Sequence, residues 1–116
     1  MLDHILLFAA GILGASGVAA AAAAAHGGDP LLSSLALIAL TQAPAILAVA
    51  LSARATLPIR IGGAVIAFGA AVFCGDLAAR HFTGAALVPM SAPFGGGAII
   101  AGWIAIAVCA LLPGRK

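Results

Sequence analysis

Asp76 is the residue best placed to do chemistry, because it is an acid inside a long apolar segment of the sequence. An ionisable residue within a membrane span is a functional candidate by default. With His26 and His81 at the same level, Asp76 would form a proton or cation site. However, Arg80 follows four residues later on the same helical face, which is the spacing of an intrahelical ion pair. The sequence therefore favours an Asp76–Arg80 pair near the lipid headgroups, with Arg80 extending outward.

The other polar residues do not form a catalytic or metal-binding motif. The sequence has no CxxC or HxxxH motif, no Glu, no Tyr and no paired carboxylates. Its isolated serines also lack a histidine at an evident catalytic position. Gln42, in the second apolar segment, is expected to hydrogen-bond to another helix rather than to a substrate. We therefore expect no enzyme activity, no bound metal and no cofactor.

The composition places these residues in a membrane. The chain has 116 residues, of which 65% are hydrophobic and 7% are charged, whereas a soluble domain carries about 25% charged residues. So little charge cannot solvate a water-exposed surface, and the high apolar content also excludes a disordered chain. The net charge of +2 is too small and too scattered for nucleic-acid binding. The sequence therefore predicts an integral membrane protein.

Four apolar stretches are long enough to cross a hydrocarbon core, which takes about 20 residues per helix. Helices are expected because each segment must satisfy its own backbone groups in lipid. We predict one all-α domain, a four-helix transmembrane bundle over residues 1–116, with helices at about 5–25, 34–53, 61–79 and 95–112. The segment 82–94, which contains glycine and two prolines, is expected to lie in the outer membrane interface or to dip shallowly into the bilayer.

The basic residues that flank the spans predict the orientation of the bundle. Arg54, Arg60, Arg115 and Lys116 lie on the side of the N-terminus, whereas the opposite side has only Arg80. Cytoplasmic loops are enriched in Lys and Arg. Both termini are therefore expected to be cytoplasmic.

Small residues are expected to hold the helices together, because close backbone approach drives helix association in lipid whereas apolar burial does not. Spaced glycines cost helix stability, so they favour packing contacts over a compositional bias toward small residues. That alternative stays open for the alanine run 19–25. The expected packing positions are Gly11, Gly14, Gly17, Ala71, Gly75, Gly95, Gly96, Gly102 and Trp103.

Several short blocks of the sequence match a known pattern. In the first two helices these are Gly17-Val18, Ala25-His26 and Gln42. The later blocks are Phe73-Cys74-Gly75-Asp76-Leu77-Ala78, Ala92-Pro93-Phe94-Gly95-Gly96 and Gly102-Trp103. On these blocks the chain resembles the small integral-membrane family called domain of unknown function 423, which includes transmembrane protein 256 and bacterial inner-membrane proteins. The resemblance implies this fold and a location in the bacterial inner membrane.

The sequence departs from the family's pattern in helices 2 and 3, so the resemblance is that of a divergent member. Thr41 and Ala45 stand where the family has Tyr and His, Ala78 replaces another Tyr, and Asp76 replaces a Ser. The family has no established biochemical role to carry over. The resemblance therefore implies fold and location but no activity.

Two functional hypotheses follow. Minimal loops, abundant small residues and the lack of convergent ionisable groups favour a non-catalytic accessory or structural subunit that packs against a larger membrane complex. The alternative is a small transporter or channel component, because Pro44 near Gln42 is typical of the interrupted helices at midplane binding sites. That alternative requires oligomerisation and a polar cavity that runs from Gln42 to Asp76. The expected partners are the lipid bilayer and other membrane subunits or further copies of the chain, with no nucleic acid.

Overall fold

The computed structural model of the protein describes residues 1–87 and 89–112. Its helices are α1 (Leu2–Gly27), α2 (Pro30–Leu51), α3 (Leu57–Thr83) and α4 (Ser91–Leu111). Each helix is long and apolar enough to cross a membrane, and no strand occurs in the described part of the chain. The expected all-α, four-helix transmembrane bundle is thereby confirmed as a multi-pass arrangement. Arg115 and Lys116, on which the expected orientation partly depends, lie outside the described residues.

All four helices begin about three or four residues earlier than expected, and three of them have a proline near their start. Pro30 is the first residue of α2, Pro58 lies in the first turn of α3, and Pro93 closely follows the start of α4. Proline is tolerated there because the first N–H groups of a helix have no intrahelical partner. Asp29 also caps α2 by accepting a hydrogen bond from the Leu31 N–H at 2.9 Å.

Two glycines end α1 and α3. Gly28 has φ 70° and Gly84 has φ 81°, the left-handed region that an L side chain rarely adopts. Their N–H groups donate to the carbonyls of Ala24 and Arg80, at 2.7 and 2.9 Å. Helix α3 therefore continues past its expected end near Ala79. The expected interfacial segment 82–94 is in fact only a short connection, residues 84–90, between α3 and α4.

The helices pack mainly in chain order, with α3 at the centre of the arrangement. It packs extensively against both α2 and α4, and α1 packs extensively against α2. Helices α1 and α3 meet over a shorter stretch, and an open groove of about 380 Å³ lies between them. In the described residues, no Cα atom of α4 comes within 8 Å of α1 or α2. Helix α4 therefore lies at the side of the bundle, and its backbone packs against α3.

Glycines form the contact between α3 and α4. A methyl group on Gly95 would lie 2.7 Å from the backbone nitrogen of Phe73 and 2.8 Å from the carbonyl oxygen of Gly69. A methyl group on Gly102 would lie 2.8 Å from the carbonyl oxygen of Gly62. These two contacts pair the helices antiparallel and bring their backbones together where no side chain fits.

The expected packing positions differ in what they contact. A methyl group on Gly17 would lie 2.7 Å from Leu40 of α2, whereas one on Gly14 would meet only Ala43, at 3.9 Å. Gly75 and Gly96 have similarly ordinary contacts, with Leu87 and Phe73. No other described atom lies within 4 Å of a methyl group on Gly11, and Ala71 is exposed. Gly11 is therefore not a close helix contact within the chain, contrary to expectation, and Ala71 lines the open groove between α1 and α3.

Candidate functional site

The carboxylate of Asp76 is completely buried, at 0% exposure, and accepts three hydrogen bonds. Its Oδ2 accepts from Nε of Arg80 at 2.8 Å. Its Oδ1 accepts from the backbone N–H of Leu87 at 2.9 Å and from the hydroxyl of Ser91 at 2.5 Å. The expected Asp76–Arg80 pair is thus present, and the same carboxylate also contacts the segment that follows α3.

These bonds make Asp76 the connection between the end of α3 and the start of α4. A buried charge is tolerated only when it is paired and hydrogen-bonded, and here the three donors come from α3, from the 84–90 connection and from α4. Sequence reasoning missed Ser91 and Leu87, because no helical spacing relates them to residue 76 across an intervening turn. The one signal in the sequence was the hydroxyl of Ser91. It belongs to the segment 82–94, which follows the helix that contains Asp76.

Asp76 also lies at the N-terminal end of α4, where the helix dipole favours negative charge. The residue before this helix, Met90, adopts a left-handed conformation with φ 69° and provides no side-chain cap. The carboxylate of Asp76 binds Ser91, the first residue of α4. An acid from the neighbouring helix therefore places its negative charge at the start of α4, where it bonds to a side-chain hydroxyl.

The histidines expected beside Asp76 have other partners. Nδ1 of His26 lies 2.8 Å from the carbonyl oxygen of Ala22 in its own helix. Nδ1 of His81 contacts Oδ2 of Asp29, which joins the end of α3 to the α1–α2 turn. Among the described residues, no three His, Cys, Asp or Glu side chains are grouped as a metal site would require. The geometry does not bring His26, His81 and Asp76 together into one site.

The pKa of Asp29 lies below its ordinary value. The main cause is the hydrogen bond from the Leu31 N–H, and the contact with His81 acts in the same direction. Burial opposes the shift but is the smaller influence. Asp29 is therefore held in its charged form while it caps α2 and contacts His81.

Gln42 forms the expected hydrogen bond between helices. Nε1–H of Trp103 in α4 donates to Oε1 of Gln42 in α2 at 2.8 Å. The amide nitrogen of Gln42 donates in turn to Oγ1 of Thr41 at 3.1 Å. Gln42 is buried, whereas Trp103 is 42% exposed. Because the backbones of α2 and α4 stay apart, the Trp103 side chain bridges the space between them.

A second ion pair lies at the opposite end of the bundle from Asp76. Arg60, near the start of α3, pairs with Asp3 at the start of α1. Its Nη2 also donates to the carbonyl oxygen of Ser52, which follows α2, at 3.0 Å. These contacts join the ends of three helices, so Arg60 has a structural role there.

The groove between α1 and α3 does not connect the polar residues. Phe8, Ile12 and Leu13 of α1 and Ala67 of α3 line it, and neither Gln42 nor Asp76 does. Cys74 also lines the groove as a free thiol, and its Sγ lies 3.8 Å from the carbonyl oxygen of Leu35. The polar cavity that a transporter requires is therefore not formed by this groove.

Comparisons of the chain with protein-family models, with curated proteins and with solved structures find no match. The class of the protein therefore follows from its fold: it is a small, all-α, multi-pass membrane protein with four candidate spans. Its described polar residues are engaged mainly in contacts between helices and at helix ends.

Proposed function

We propose that this chain is a non-catalytic accessory subunit that packs against a larger membrane assembly. The observation that carries this proposal is the exposed small-residue face of α4. Gly97 and Ala101 lie one turn apart on that face, and no other described atom lies within 4 Å of a methyl group on Gly97. Glycine within a helix costs about 1 kcal/mol relative to alanine, and that cost is offset where another helix packs closely.

The α3–α4 contact supports this interpretation of Gly97. Gly95 and Gly102 of the same helix contact the backbone of α3 at distances that exclude a methyl group. Gly97 likewise has no side chain to cover its backbone, but it lies on the exposed side of α4, away from α3. A helix of a second membrane protein would pack against this side of α4 in the same way that α3 packs against the other side.

The orientation and the family relationship are part of the same proposal. Arg54 and Arg60 lie on the side of the N-terminus, which favours cytoplasmic termini. The bacterial inner membrane is proposed from the family resemblance alone. Membership of the domain of unknown function 423 family is proposed only from the sequence blocks that resemble it, such as Ala92-Pro93-Phe94-Gly95-Gly96 and Gly102-Trp103.

Site-specific photocrosslinking in the native membrane tests the proposal. A photoreactive amino acid at Ala101 is expected to give one adduct of defined mass with another membrane protein. The matched control is Leu37, which is also exposed but lies on α2, and it is expected to give no such adduct. A chain that forms no protein adduct at Ala101 and is extracted as a stable free monomer would contradict an accessory role.

A further inference from the structure

Arg80 combines a fixed position with unused hydrogen-bond donors. Its Nε donates to the buried Oδ2 of Asp76 at 2.8 Å, while the Arg80 side chain is 40% exposed. A guanidinium has five N–H donors, four of them on the two Nη atoms. Among the described residues, neither Nη atom donates a hydrogen bond. The buried carboxylate therefore orients the planar guanidinium of Arg80, here called the fork. The N–H groups on its two Nη atoms remain available to another acceptor.

The length of α3 places this fork at the level of lipid headgroups. The helix has 27 residues, which correspond to about 40 Å at the ordinary helical rise, whereas the hydrocarbon core is about 30 Å thick. Arg80 lies in the last turn of α3. The end of α3 consequently extends into the interfacial region, where phospholipid phosphates are the abundant acceptors.

We propose that Arg80 binds the phosphate group of a phospholipid headgroup. The two Nη donors of a guanidinium match two oxygens of one phosphate, and this bidentate geometry is specific to arginine. The described carboxylates do not compete for this fork. Asp76 is buried and already bonded through Nε, Asp29 contacts His81, and Asp3 contacts Arg60 at the opposite end.

The charge balance determines how this site recognises its ligand. Asp76 neutralises Arg80, so the pair presents little net charge to an approaching phosphate. Binding then depends on the directed hydrogen bonds of the fork, unlike a cluster of basic residues, which attracts anionic lipids by its net charge. We therefore expect the lipid affinity to depend only weakly on ionic strength.

Native mass spectrometry of the full-length protein in a neutral detergent tests the proposal. Phosphatidylglycerol is expected to bind about tenfold more tightly than diacylglycerol with the same acyl chains, since the phosphate accepts charge-assisted hydrogen bonds. Arg80→Lys keeps a cation beside Asp76 but removes the fork, so it should lose most of this preference. Arg54→Lys, an exposed arginine at the opposite end, is the matched control and should retain it.

Three results would overturn the proposal. One is an equal affinity of the unmodified protein for the two lipids, a comparison that needs no variant to fold. Another is that the two variants do not differ, either because Arg80→Lys keeps the lipid preference or because Arg54→Lys loses it equally. The third is displacement of phosphatidylglycerol by an equal concentration of inorganic phosphate, because the site would then bind the free anion rather than a lipid.

Discussion

Ser91, the first residue of α4, donates a hydrogen bond at 2.5 Å to the buried carboxylate of Asp76 in α3. The bond joins two helices that meet elsewhere through glycines. It also explains how an acid is tolerated inside an apolar segment, because the remaining oxygen is paired with Arg80. The end of the bundle that contains Asp76 is thus fixed by one carboxylate shared among α3, its following connection and α4.

The first prediction concerns the balance between Asp76 and Arg80. Arg80→Ala leaves a buried carboxylate without a cation, which is costlier than deleting both charges. Asn at position 76 removes the charge but keeps an acceptor for Leu87 and Ser91. The double variant Asp76→Asn/Arg80→Ala should therefore unfold at a higher temperature than Arg80→Ala in the same detergent. If the double variant loses as much stability as the two single variants together, the charges are not coupled.

The second prediction concerns the α3–α4 contact. Gly95→Ala places a methyl group against the backbone of Phe73 and Gly69, so it should destabilise the protein by about 1–3 kcal/mol through overpacking. Gly97→Ala in the same helix is the matched control, because its methyl group meets no other described atom within 4 Å. Thermal unfolding in detergent should show a lower midpoint for Gly95→Ala only. Equal midpoints would mean that the two helices do not approach so closely.

The third prediction uses Trp103, the only tryptophan of the chain, as its own probe. Gln42→Leu removes the acceptor of the indole N–H, so the fluorescence emission maximum of Trp103 should shift. The loss of stability should be small, about 0.6 kcal/mol, which is the average for interhelical hydrogen bonds in membranes. Ser33→Ala serves as a control because the Ser33 hydroxyl of the same helix bonds to the carbonyl oxygen of Asp29 and not to Gln42 or Trp103. An unchanged emission spectrum in Gln42→Leu would show that the Trp103–Gln42 bond does not form.

The fourth prediction follows from the lowered pKa of Asp29. An acid whose folded pKa lies below its ordinary value, about 3.9, contributes stability that is complete above that value. The contribution is lost as the pH falls through the folded pKa. Asn is an equally good helix cap but does not titrate, so Asp29→Asn should lose less stability than the unmodified protein when the pH falls from about 5 to 3. Parallel losses of the thermal midpoint would contradict this role of Asp29.

The sequence predicts the number and type of the helices, because four long apolar segments allow few other solutions. It is less informative about their ends, since Pro30, Pro58 and Pro93 suggest loops although proline suits the first turn of a helix. The Asp76–Arg80 pair and the interhelical role of Gln42 follow from local spacing and residue type.

The partners Ser91 and Trp103 could not be derived in the same way. Each depends on how distant helices pack, which no local pattern specifies. Gly69 and Gly62, the α3 positions opposite Gly95 and Gly102, were missed for the same reason. They lie seven residues apart, whereas the expected packing residues of that helix followed a four-residue spacing.

The accessory role is tested most directly by native mass spectrometry of the full-length chain released from its own membrane. We predict that the unmodified chain is released in a complex with one other membrane protein. Gly97→Leu places a side chain on the exposed face of α4, where a Cβ atom has open space. The variant should be released free while its thermal stability in detergent is unchanged. Ile100→Leu, on the same exposed side, should retain the complex. Release of the unmodified chain as a free monomer, or a complex that persists in Gly97→Leu, would contradict the proposed packing through α4.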